Sequence, residues 1–132
     1  MRGTAAFDEA VLRDCLDAFP LVRLRVSGGC MAPRLREGDV VELASCVRRP
    51  PRVGDVVLVR LPAGVRLHRL LWRPLRGAAR WRTKADHGRF CDPHVRARDV
   101  LATVVGVERR GRRRAGARSL SALARSLLRL RP

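Results

Sequence analysis

Isoleucine, asparagine, glutamine and tyrosine are absent from the 132-residue chain, and lysine occurs once, at Lys84. Every other basic position is arginine, and 29 Lys and Arg against 12 Asp and Glu leave a net charge of +17. Such one-sided residue choice is what a GC-biased codon set writes wherever the chemistry tolerates it, so the charge by itself is weak ground for nucleic-acid binding. Two tryptophans, Trp72 and Trp81, make no array on which single-stranded bases could stack, and they are expected in the core or at its rim. Residues 1–20 are too few for a helix-turn-helix. Nucleic acid is therefore not the expected partner.

Cys15, Cys30, Cys46 and Cys91 form no Cys-x-x-Cys pair, which excludes a disulfide-stapled miniprotein. No run approaches the roughly 18 apolar residues of a membrane span. Asp8, Glu9, Asp14 and Asp17 spoil any secretory hydrophobic segment at the N-terminus. The expected location is the cytoplasm. What remains is 46% hydrophobic residues in a length suited to one compact domain.

Three zones differ in pattern. Over residues 5–19, Phe7, Val11, Cys15 and Ala18 recur at helical spacing, acids occupy the first turn, and Pro20 stops the run. Residues 21–108 then change period. Short Val-rich runs at 21–26, 39–44, 54–60, 65–72, 79–84 and 99–107 are separated by Gly and Pro breaks, the signature of an antiparallel β domain. Residues 109–132 hold nine arginines and no acid. From Arg118 onward this tail is helical by period, with Leu120, Leu123 and Leu127 opposite Arg118, Arg125 and Arg129. The favoured expectation is that these leucines pack on the β domain; the alternative is an interfacial helix on anionic lipid, on the inner membrane face. The expected fold is all-β, mainly antiparallel, with a short N-terminal helix and a basic amphipathic C-terminal helix. Residues 1–108 form the domain and 109–132 the tail.

The stretch richest in chemistry starts at Val26-Ser27-Gly28-Gly29-Cys30-Met31-Ala32-Pro33 and continues to Gly38-Asp39-Val40-Val41. A second Gly54-Asp55-Val56-Val57 follows, then His68-Arg69-Leu70 within a strand, then Thr83-Lys84-Ala85-Asp86 with Asp92 six residues beyond. Taken in order, these motifs resemble the signal peptidase I family and its relatives among the repressor-type self-cleaving proteases, over roughly residues 22–108. That family carries Gly-x-Ser-Met-x-Pro at its nucleophile, Gly-Asp before a strand, a base on a later strand, and a Gly-Asp-rich segment. Here Cys30 stands at the serine position and His68 at the base position. The endoplasmic-reticulum and spore-former type of signal peptidase likewise uses histidine, with an aspartate six residues after the one in Thr-Lys-Gly-Asp. The resemblance therefore implies Asp92 as the residue that orients His68, with Asp86 its structural neighbour. Ala85 and His87 replace the family's glycine and asparagine.

The resemblance implies an endopeptidase acting on an extended peptide or protein held by strand addition. Small residues would precede the cut, and no cofactor or metal is required. Cysteine suits this site, because a neighbouring imidazole favours the nucleophilic thiolate, while an aspartate fixes the imidazole tautomer. Gly29, Met31 and Pro33 support the nucleophile loop, and the Cys30 N–H is the candidate oxyanion donor. The competing expectation is a peptide-binding or regulatory module that keeps the fold without catalysis, Cys30 being then a packed hydrophobe. A zinc site from His87-x3-Cys91-x2-His94 matches no strong ligand spacing.

Overall fold

The computed structural model describes residues 8–76, 80–116 and 118–130, and Ser126 only by its backbone. Helix α1 (Glu9–Ala18) starts where the Asp8 side chain accepts from the Ala10 N–H at 2.9 Å. Its inner face is not the expected stripe. Leu12 and Leu16, one turn apart, are the buried residues, whereas Val11 is exposed, Cys15 half-buried and Ala18 exposed. Glu9 rotates the helix this way: it accepts from Arg60 at 2.7 and 2.8 Å, which pins that side of the first turn to the sheet. Burying a leucine fully contributes about 1.5–3 kcal/mol, so Leu12 and Leu16 outweigh the smaller Cys15 and Ala18. Residues 5–7 of the expected helix, Phe7 among them, lie outside the described residues.

The body is one seven-stranded antiparallel sheet with strands β1 (Val22–Arg25), β2 (Val40–Ser45), β3 (Val56–Leu61), β4 (Gly64–Trp72), β5 (Arg82–Lys84), β6 (Val100–Arg109) and β7 (Arg112–Ala115). The order is β1-β2-β6-β3-β4-β5, with β7 also on β6. The ten-residue β6 is the spine: β2 runs along one side, and β3 and then β7 share the other. One core layer gathers Leu12, Leu16, Leu24, Met31, Leu35 and Leu67 with the inward side chains of β2 and β6. The opposite layer holds Val57, Val59, Leu70, Trp81, Val95 and Val100. Trp81 is buried and Trp72 exposed. Among the described residues no helix is long and apolar enough to cross a membrane.

Two features correct the expected tail. The sheet does not stop at residue 108, because β7 pairs with β6 from Gly106↔Ala115 to Arg109↔Arg112. Helix α2 (Leu120–Leu128) turns Ala122 and Leu123 inward, while Leu120, Leu127 and Leu128 stand 63%, 46% and 84% exposed. The short Ala122 lets the helix approach closely, and Leu123 reaches the space above Gly54.

Candidate active site

Two turns of identical design set the strands that carry the site. In Arg36-Glu37-Gly38-Asp39 and Arg52-Val53-Gly54-Asp55 the aspartate carboxylate accepts from the N–H three residues back, at 2.8 and 2.7 Å. Each needs a glycine in the left-handed region, with φ of 91° at Gly38 and 95° at Gly54. For Asp39, burial works against the charged carboxyl, but Arg109 and the Arg36 N–H outweigh it and hold its pKa below the ordinary value.

The segment between β1 and β2 carries Cys30 in a turn closed by bonds to its own backbone. Val26 N–H donates to Asp39 O at 2.7 Å, Gly38 N–H to Val26 O at 2.9 Å, and Leu35 N–H to Met31 O at 3.0 Å. The loop after β5 holds it from the other side. His87 N–H donates to Cys30 O at 2.9 Å, and Asp86 N–H to the Met31 sulfur at 3.3 Å. Met31 is almost wholly buried; Gly29 and Pro33 are exposed, and the Ala32-Pro33 peptide is cis. The half-buried Cys30 thiol donates to Leu67 O at 3.8 Å. Among the described residues no acceptor lies on the Cys30 N–H.

Leu67 is followed in β4 by His68, which is 7% exposed. Its Nδ1 lies 2.6 Å from Asp92 Oδ2, and the Thr83 hydroxyl donates to the same oxygen at 2.7 Å. With Nδ1 engaged, the free ring nitrogen is Nε2. Burial lowers the His68 pKa, but hydrogen bonding to Asp92 and Cys30, and their charges, more than reverse this and raise it to about 9. With its pKa raised to about 9, His68 carries a proton near neutral pH, its Nδ1 on the Asp92 carboxylate.

Asp86 lies apart from this group. It takes both forks of Arg69, at 2.8 Å from Nε and 2.6 Å from Nη2, and Arg69 also donates to Gly54 O at 2.8 Å. Its part is thus to anchor the loop through which it and His87 grip Met31 and Cys30. Sequence reasoning passed over Arg69 in this role, and over Lys84. Lys84 is fully buried, its Nζ donates to Ala85 O at 3.0 Å, and burial lowers its pKa from the ordinary value. The signal was present: Lys84 is the one lysine in a chain that otherwise writes arginine, and lysine puts a compact ammonium where arginine puts a broad fork.

The remaining cysteines differ. Cys46 donates to Val100 O at 3.3 Å, and burial pushes its thiol up to about 11 against weaker opposing effects of Thr103 and Arg73. Among the described residues no three His, Cys, Asp or Glu side chains converge as ligands of one metal ion. Comparison of the chain with protein-family models, with curated proteins and with solved structures finds no match.

Proposed function

We propose that the protein is an endopeptidase of signal-peptidase-like design that cleaves extended peptides through Cys30, His68 and Asp92. The observation that carries this reading is the Asp92 carboxylate on His68 Nδ1, with His68 raised to about 9 and the Cys30 thiol on the carbonyl of Leu67, the residue before it. A base that protonated would serve a serine nucleophile poorly near neutral pH. It serves a cysteine well, since the imidazolium stabilises a thiolate and then supplies the proton to the leaving amine.

In this mechanism the Cys30 thiolate attacks the scissile carbonyl carbon, and the carbonyl oxygen becomes an oxyanion facing the Cys30 N–H. Collapse breaks the C–N bond as His68 Nε2–H protonates the departing amine, leaving a thioester. Neutral His68 then takes a proton from water, whose oxygen displaces the sulfur. Asp92 keeps Nδ1 protonated throughout. The peptide lies along β1, which ends the sheet and runs through Val26–Gly29 directly into the nucleophile turn.

A quenched fluorogenic peptide library with Ala-like residues before the cut tests the reading. Cleavage is expected to vanish in Cys30→Ala and His68→Ala, and the double variant to lose little more, because the groups act as a unit. Iodoacetamide near pH 7 should modify Cys30 ahead of Cys46, whose thiol is raised to about 11. Full activity in Cys30→Ala overturns the mechanism. Peptide binding without turnover in the wild type would instead establish the non-catalytic module.

A further inference from the structure

The β6–β7 hairpin, Arg118 before α2 and the Arg34–Leu35 end of the Cys30 segment line a cavity of about 190 Å³ that takes no part in the proposed chemistry. Arg34, Arg109, Arg112, Arg114 and Arg118 line it, with Leu35 and Val107 as its apolar floor. Strand period explains the clustering. Arg112 and Arg114 fall on one face of β7, opposite Arg109 and Val107 respectively, while Arg113 faces away and bonds Glu42 at 2.6 Å. Arg109 facing Arg112 is a like-charge cross-strand pair, which is destabilising unless something anionic sits between them.

Three of the guanidinium groups are held in place by the protein. Arg109 spans the Asp39 carboxylate at 2.9 and 2.8 Å, Arg34 donates to Ser119 Oγ at 2.7 Å, and Arg118 donates to Val53 O at 3.2 Å. Arg112 and Arg114 are exposed and have no hydrogen-bond acceptor among the described residues. Among the described residues no carboxylate lines the cavity, and Asp39, bonded to Arg109 from beside it, balances one of the five positive charges. At roughly 30 Å³ per water, the volume equals about six waters, ample for a phosphate or diphosphate group.

We propose that this cavity is an anion site for a phosphate-bearing ligand, with Arg112 and Arg114 closing on the phosphate and Arg34, Arg109 and Arg118 forming the preset wall. Planar guanidinium forks match phosphate oxygens in pairs, and an excess of four charges suits a dianion or diphosphate. The same chemistry arises from a soluble phosphate ester or from a phospholipid headgroup. The exposed Leu120 beside Ser119 would lie against acyl chains in the second case. The inference stands on the cavity alone and does not depend on peptidase activity.

Calorimetric titration of the full chain with inorganic pyrophosphate, at ionic strength matched with chloride, tests it. Saturable binding is expected, weakened about tenfold or more in Arg112→Gln/Arg114→Gln and unchanged in Arg110→Gln, which lies outside the cavity. Should the double variant fold poorly, Arg114→Gln alone gives the same direction with a smaller loss. Sedimentation with phosphatidylglycerol or phosphatidylcholine vesicles separates the sources. Pelleting on the anionic vesicles alone, released by pyrophosphate and lost in the double variant, identifies a headgroup; pyrophosphate binding without such pelleting identifies a soluble ligand. A pyrophosphate response that chloride reproduces, or that the double variant retains in full, overturns the site.

Discussion

His68 and Arg69 are neighbours in β4, and each has its own aspartate from the loop after β5, yet the two pairs do different things. Arg69 and Asp86 are 0% and 8% exposed by side chain and doubly bonded. His68 and Asp92 are 8% and 15% exposed, joined by one bond, and one member titrates. Successive residues of a strand point to opposite faces, so a single step in sequence separates a bolt from a reactive pair. A guanidinium cannot release its proton at any working pH, and so Arg69 can only hold. An imidazole can hold or pass a proton according to what faces it.

The sharpest way to break this comparison is to remove one half of the bolt. Arg69→Met leaves Asp86 buried without its partner and is expected to cost about 3–5 kcal/mol in urea unfolding. Arg69→Met/Asp86→Leu should recover most of that loss, because two apolar groups need no pairing. A double variant no more stable than the single would show that Arg69 contributes through its bond to Gly54 O instead.

Asp92→Asn acts on the reactive pair. It removes the largest upward influence on His68 while burial keeps pushing down and Cys30 still pushes up, so the His68 pKa should fall from about 9 toward the ordinary 6.5, read from imidazole NMR signals against pH. Because the folded pKa is raised, the pair's stability is fully present below pH 6.5 and is lost as pH rises through about 9. The difference in unfolding free energy between wild type and Asp92→Asn should therefore be up to about 3 kcal/mol in acid and shrink across that window. Peptide cleavage should lose its proton donor on the same alkaline limb.

Thr83→Val is the mildest probe. It deletes one donor to Asp92 Oδ2 in a fully buried, near-isosteric position, with an expected cost of about 1 kcal/mol. The His68–Asp92 contact should survive, so cleavage should fall far less than in Asp92→Asn. Equal losses in the two variants would make Thr83, and not the carboxylate, the group that sets the geometry.

Much of this was legible in sequence because it follows from period and order. Val-rich alternation marked β2, β3, β4 and β6 to within two residues at either end, and the structure puts Asp92 on His68 and the Cys30 thiol on the carbonyl of Leu67. The misses have physical causes. Arg112–Ala115 shows no apolar alternation, since β7 is held by backbone pairing to β6 and every residue in it is exposed. Helix α1 faces inward through Leu12 and Leu16 because Glu9 is tied to Arg60 across 51 residues, which no local pattern reports. Arg69 was one arginine among many, and only its burial distinguishes it.

The Cys30 turn has a consequence for entropy. From Val26 to Asp39 the chain is stitched to itself and to the Asp86–His87 loop by bonds within the protein. The freedom of these residues was surrendered once, during folding, at roughly 1–2 kcal/mol per residue. Under the proposed mechanism an arriving peptide would not have to order this turn and would give up only its own flexibility. Selection among substrates would then fall on how readily each peptide straightens into an extended strand, so those already rich in β-branched residues near the cut start ahead of flexible, glycine-rich ones.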